Sequence, residues 1–263
     1  MAPVVSSQAK SPAILGLVLA VPLAWRGICG PPTPAPDAPG RAAVLQRDFD
    51  TAVVAWRSAE PSHTNSLPLV HDLCRLSYDL ASLQPDHEPR ARITQVGIAA
   101  AEASLLSHPT SARTHYYLAL NLGELARTKN VGALRLLPRI RDALEAARTL
   151  DESIDHGGPD RTLGLLYLEA PGWPASIGSK AKARAHFLRA MALAPEHPSN
   201  HLCLAEALLR WREADAAAAR LASLDALWTN ARARLADPRW AADWTDWTGR
   251  REALRKALSG GQR

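Results

Sequence analysis

The feature that most restricts the fold of this chain is a spacing of small and bulky apolar residues tied to its prolines. With Pro195 at position 32 of a unit of about 34 residues, Ala183 falls at position 20, Phe187 at 24 and Ala190 at 27. The next unit follows in unbroken register, with Leu204 at 7, Ala205 at 8, Leu208 at 11, Ala217 at 20 and Leu221 at 24. Small residues at 8 and 20 let two antiparallel helices approach to about 8–10 Å. A proline at 32 cannot continue the second helix and ends it.

The same register starts again from Pro109. Gly97 then stands at 20 and Ala101 at 24, and the following unit has Leu118 at 7, Ala119 at 8 and Leu122 at 11. Its second helix is displaced: Arg127 to Pro138 intervene before a helix through Ile140 to Leu150. A further first helix carries Leu163, Gly164 and Tyr167 at 7, 8 and 11, and a second insertion, Glu169 to Gly178, precedes the helix of Phe187. Upstream, Leu69, Leu73, Leu76 and Leu80 mark one face of a helix over Leu67 to Leu83, which pairs with one from about Pro89 to Leu106. Val44 to Ser58 reads as an amphipathic helix capping that end. At the other end Asp237-Pro238 breaks the helix, and Trp240, Trp244 and Trp247 follow at helical spacing as a core stripe that hides the last apolar face. Alanine and leucine dominate and aromatics are 5% of the chain, which agrees with helices and offers little to a sheet. The expected architecture is therefore all-α: a tetratricopeptide-type helical-repeat solenoid with two central insertions and a Trp-containing C-terminal cap.

The amino terminus reads as an address. Lys10 precedes an apolar run from Pro12 to Trp25, shorter than the about 20 residues that span a bilayer and of the length of a signal-peptide core. Cys29 follows, making it a possible lipidation site, although Arg26 and Ile28 depart from the usual lipoprotein pattern. Residues 1–29 are thus read as a signal-like or anchor segment, 30–42 as a Pro/Ala-rich linker, 43–258 as the repeat domain and 259–263 as a tail. Export to the periplasm or envelope is the expectation, with a cytoplasmic chain as the alternative. Cys74 and Cys203 fall in apolar helical patterns as buried thiols, and a disulfide between them stays open. The formal charge of +5 is mild for 263 residues. The basic run Arg250, Arg251, Arg255 and Lys256 reads as a solvated last helix, not a nucleic-acid surface.

Three stretches resemble a particular group. They are Leu163-Gly164 with Tyr167, the insert Pro171-Gly172-Trp173-Pro174 with its basic restart Lys180-Ala181-Lys182-Ala183, and Ala194-Pro195-Glu196-His197-Pro198 before Asn200 and Leu204-Ala205-Glu206. Together they resemble the T-component proteins that accompany TRAP transporters, helical lipoproteins distantly similar to the regulators of microtubule dynamics. The resemblance covers roughly residues 90 to 225. It implies a scaffold that associates with a periplasmic solute-binding protein and forms a ligand-permeable pore in a homo-oligomer.

No CxxC, HExxH, phosphate loop or GxSxG elbow occurs, so no catalytic, metal or cofactor residue is assigned and none is expected. Asp151, Glu152, Asp155, His156 and Asp160 gather near one turn but read as a helix end with Gly157-Gly158 as its left-handed stop. His115 and His201 share position 4 of a first helix and read as packed side chains. The concave surface of such a stack is lined by first-helix positions 2, 5, 9 and 12. Those positions give Arg113, Tyr116, Arg161 and Glu206, with Leu120, Leu165 and Leu168. Two arginines beside a tyrosine can receive a carboxylate or an acidic peptide end. Trp173 is the other candidate, either at the binding face or plugging the gap left by the displaced helix. The expected function is a non-enzymatic scaffold accessory to solute uptake; the alternative is a protein-interaction module in envelope assembly or secretion.

Overall fold

The computed structural model describes residues 38–59, 66–129 and 132–260. The signal-like segment, Cys29 and the linker as far as residue 37 lie outside the described residues, as do residues 261–263 of the tail. Ten α-helices follow one another with no sheet among the described residues: α1 (Ala38–Ser58), α2 (Leu67–Leu83), α3 (His87–Ser107), α4 (Ala112–Arg127), α5 (Leu137–Leu150), α6 (Gly158–Glu169), α7 (Lys180–Leu193), α8 (Pro198–Arg210), α9 (Ala214–Arg234) and α10 (Ala241–Gly260). They pack largely as sequential antiparallel pairs, α2 with α3, α4 with α5, α6 with α7 and α8 with α9, while α1 covers α2 and α10 lies on α8 and α9. This is consistent with a helical repeat.

The register is visible in the local geometry. Both α4 and α8 begin at the first position of the unit, three residues after Pro109 and Pro195. His115 and His201, at position 4 of each, donate from Nε2 to the carbonyl of that same proline at 2.8 and 2.7 Å. An imidazole here closes the turn between one unit and the next, so the two histidines mark a repeated joint. Ser111 and Ser179 accept from the backbone N–H three residues on and cap α4 and α7.

Small residues sit where helices cross. A Cβ on Gly164 would lie 2.6 Å from the Phe187 ring, and one on Gly97 would lie within 2.8 Å of the side chains of Ser77 and Asn121. Ala183, Ala205 and Ala217 are buried at the other crossings. Asn121 fills the space beside Gly97 and donates to the carbonyls of Cys74 and Tyr117. Cys74 and Cys203 are buried thiols with no disulfide between them, and burial pushes the Cys74 thiol up to about 12.

Several boundaries differ from the sequence expectation. α1 begins at Ala38, within the stretch expected as linker, and α10 runs to Gly260. The first insertion is shorter than Arg127 to Pro138, because Arg127 completes α4 and Leu137-Pro138 open α5, with proline in the first turn where its missing N–H costs nothing. Glu169 likewise belongs to α6. α4 and α5 pair directly in spite of the loop between them. The break falls one step later: α2 packs on α4, and α6 touches α8, but α4 and α6 barely meet.

Replacing Gly164 by valine forces the Phe187 ring out of its seat between α6 and α7. A loss of about 1–3 kcal/mol is expected from overpacking of this kind, read as a lower melting temperature with unchanged helical circular dichroism at 20 °C or thereabouts.

Candidate functional site

Between α5 and α6 the chain makes an unusual turn. Asp155, His156 and Gly157 all adopt positive φ, at 49°, 56° and 81°. The glycines do not stop a helix as the sequence suggested: α5 ends at Leu150 with an extended Asp151, and Gly157 is instead the left-handed N-cap of α6, in a turn whose side-chain-bearing Asp155 and His156 adopt positive φ at a cost. What holds it is Arg161, only 9% exposed. Its guanidinium donates to the Asp155 carbonyl at 3.1 and 3.2 Å, to the Asp155 carboxylate and to Oδ1 of Asn200 at 2.9 Å. Asn200 in turn donates to the carbonyls of His156, Ala190 and Ala194. Tyr116 completes the network from α4 by donating to Asp155 at 2.8 Å, and burial raises its phenol well above the ordinary range. One buried guanidinium thus ties α4, the left-handed turn, α6, α7 and α8 together.

Beside this network lies a cavity of about 770 Å3, lined in part by Tyr116, Asp155, His156 and Arg161. Its floor comes from neighbouring turns of the first helices: Tyr78 and Asp79 on α2; Arg113, Tyr116, Tyr117 and Leu120 on α4; Arg161, Thr162 and Leu165 on α6; Ser199 and Cys203 on α8. The opposite wall is the C-terminal cap, which contributes Arg239, Trp240, Asp243, Asp246, Trp247 and Arg250. The tryptophan stripe divides accordingly: Trp244 and Trp247 are core, whereas Trp240 is half-buried and faces the cavity. Trp247 bonds Ser199 at 2.7 Å, and Trp244 bonds the Leu235 carbonyl at 2.7 Å.

An aromatic cluster joins this cap to the turn. The rings of His156 and His197 stack at 4.5 Å and 14°, and Trp240 and Trp247 meet His197 edge-on at 5.9 and 5.2 Å. His197 is 5% exposed and neither of its ring nitrogens has a protein partner. Burial, reinforced by the Arg161 charge, pushes its pKa down to about 2.

The charges around the cavity are unevenly engaged. Asp79 is held by Arg75 at 3.1 Å, Asp155 by Arg161, and Asp246 by Arg250 at 3.3 Å. Arg41 and Arg113 make no ion pair among the described residues, and Arg239 reaches only Asp237, at 4.0 Å. Asp243 is the carboxylate facing them, and its pKa is pushed up to about 6 by burial and by the fields of Asp155 and Asp79. Among the described residues no group of three or more His, Cys, Asp or Glu is placed to hold a metal ion. The turn acids are engaged otherwise, Asp160 with His186 and Arg189, and Glu152 with Arg189.

Of the residues read from sequence, Arg113, Tyr116, Arg161, Leu120 and Leu165 do meet at one cavity. They are not equivalent there: Arg161 and the Tyr116 hydroxyl are bonded within the protein, to Asp155 and Asn200, whereas Arg113 is exposed. Glu206 is not on the surface of the cavity: Arg250 covers it with two bonds of 2.8 Å, and burial raises its pKa to about 7. Trp173 lies elsewhere, 89% exposed, and plugs no gap. The basic run of the last helix divides: Arg250 bonds Glu206 and Asp246 and Arg251 bonds Asp225, whereas Arg255, which also bonds Asp225, and Lys256 are exposed as expected. Sequence reasoning missed position 6 of each first helix, Tyr117, Thr162 and Cys203, which completes the i, i+3, i+4 face with positions 2 and 5. It also missed the whole α10 wall, which no repeat position encodes. No protein-family model matches the chain, and no curated protein matches it.

Two outcomes follow from the network. Replacing Arg161 by methionine strands the Asp155 carboxylate and Asn200 and removes the support of the left-handed turn, for an expected loss of about 2–4 kcal/mol in urea unfolding. For His197 the folded pKa is below its unfolded value of 6.5, so its contribution is intact above pH 6.5 and is lost progressively as pH falls below it. His156 is shifted the same way, by burial first. Melting temperature should therefore fall between pH 7 and pH 5, and His197→Phe should flatten that fall; an unchanged slope would rule out this origin.

Proposed function

We propose that this chain is a non-enzymatic helical-repeat scaffold whose concave cavity holds an anionic ligand or an acidic segment of a partner protein. The observation that carries this reading is the rim of Arg41, Arg113 and Arg239 standing over a cavity walled by Tyr78, Tyr117 and Trp240. A cavity of this volume suits a small molecule or a few residues of a peptide. Arg41 and Arg113, which make no ion pair among the described residues, and Arg239, whose pair with Asp237 is loose at 4.0 Å, favour planar anions through paired hydrogen bonds. Three of the four acids at the site, Asp79, Asp155 and Asp246, are already engaged by Arg75, Arg161 and Arg250, which supports binding over turnover. Taken with the sequence resemblance, the same reading extends to an exported accessory of solute uptake, in which the partner is a periplasmic solute-receptor protein.

Native mass spectrometry of the full chain tests it. Wild-type protein should retain a small ligand or co-purify with its partner, and Arg41→Glu with Arg113→Glu, both at exposed positions, should lose that species while keeping the melting temperature. Equal occupancy of the two proteins would refute the assignment. Protonation adds a second check. Below pH 6 Asp243 becomes neutral and no longer opposes an anion, so affinity should rise several-fold between pH 7.5 and pH 5.5. Asp243→Asn should bind at pH 7.5 as the wild type does at pH 5.5.

A further inference from the structure

The two insertions that interrupt the repeat fall on the same edge of the stack. α5 and α6 are antiparallel neighbours, so the start of α5 lies beside the end of α6, and Arg141 and Tyr167 accordingly sense each other's charge. The turn after α8 joins the same edge, where Arg210 bonds Glu169, and Lys180 and Arg184 bond Glu213.

The second insertion is a built loop with its backbone turned inward. Gly178 donates to Pro171 O at 2.8 Å and Ser179 to Tyr167 O at 2.9 Å, while Ala175 and Ser176 both donate to Gly172 O. Gly178 is packed so closely that a Cβ would stand 2.0 Å from Ala170 O. This ordered frame presents Trp173 almost wholly to solvent, at 89% exposure. An indole held outward contributes nothing to the core, and its ring with one N–H suits a boundary between water and an apolar phase. The first insertion offers a second exposed apolar side chain, Leu134.

Charge selects the phase. The acids Glu124, Glu169 and Glu213 on this edge are each ion-paired. Lys129, Arg135, Lys182 and Arg212 are exposed and form no ion pair among the described residues, Lys182 lying 5.2 Å over the Tyr167 ring. Asp86 and Asp215 are the opposing charges at this edge without an ion pair. Cations around an outward indole match an anionic surface, each contributing about fivefold in partitioning near charged headgroups. None of the described helices is long and apolar enough to cross a membrane, so contact by this edge is contact with the surface.

We propose that this edge docks on an anionic lipid bilayer, with Trp173 seated among the headgroups and Lys129, Arg135, Lys182 and Arg212 facing the lipid charge. The test uses the full chain with vesicles of phosphatidylcholine containing about one third phosphatidylglycerol, and with phosphatidylcholine alone. Some of the lipid carries bromine near the headgroup. The emission of wild type minus that of Trp173→Phe isolates Trp173, so any quenching of Trp25 in the amino-terminal run cancels. That difference should be quenched on the anionic vesicles, and much less on phosphatidylcholine alone or in 1 M salt. Lys129→Glu with Lys182→Glu should abolish the quenching at physiological salt with the melting temperature retained. Trp173 emission that brominated lipid leaves unquenched would overturn the proposal, as would quenching that survives the charge reversal. Protection of Trp173 by a co-purified protein, without lipid quenching, would assign the edge to a protein partner instead.

Discussion

The buried guanidinium of Arg161 is the joint on which the rest of the molecule depends. Uniform stacking of helix pairs would bring α4 against α6, as α2 meets α4. Here the left-handed turn that leads from α5 into α6 is bonded to α4 through Tyr116, and such a turn persists only where its surroundings determine it. Arg161 supplies that determination by bonding the Asp155 and His156 carbonyls, the Asp155 carboxylate and Asn200. A single charged group satisfied on all sides can be buried without the penalty of an orphan, provided each partner is in place. Asn200, which bonds three carbonyls, completes that condition.

The cavity lies beside this joint. The tyrosines of α2 and α4 line it on one side, and α10 closes the other. α10 stays there through three kinds of contact: the Trp244 and Trp247 rings in the core, the Arg250 pair with Glu206 and Asp246, and the Arg251 and Arg255 bonds to Asp225. The stacked His156 and His197 rings connect the turn to this cap. The two histidines whose pKa values burial lowers thus lie in the cluster that joins turn and cap, and Asp243, whose pKa is raised, lines the cavity beside it.

Much of the fold was legible because repetition leaves residues at fixed intervals. The helix boundaries of α2 agree with the periodicity of its leucines, and α4 and α8 start where the proline register places them. Gly164 and Ala183 were read as crossing points and are found under or beside Phe187. The candidate site was legible only in part. Arg113 and Arg161 were read as equivalent groove residues. Exposure leaves Arg113 at the rim, whereas Arg161 is turned inward by an Asn one repeat further on, a partner that no local pattern reveals. Arg250 and Glu206 were assigned to solvent and groove separately, although they belong to each other across 44 residues. Trp173 gave no sign of whether it would plug or project, since the same composition serves either.

By itself the sequence determined that the chain would be helical, where its helices would pair and which small residues would let them cross, since periodicity and steric size act locally and recur. Only the tertiary structure decided that the stack is parted at its centre, that α10 becomes the second wall of the cavity, and that three rim arginines remain without close carboxylate partners there. These outcomes depend on which charged groups meet across long stretches of chain. Burial and hydrogen-bond satisfaction settle that only after the helices have packed.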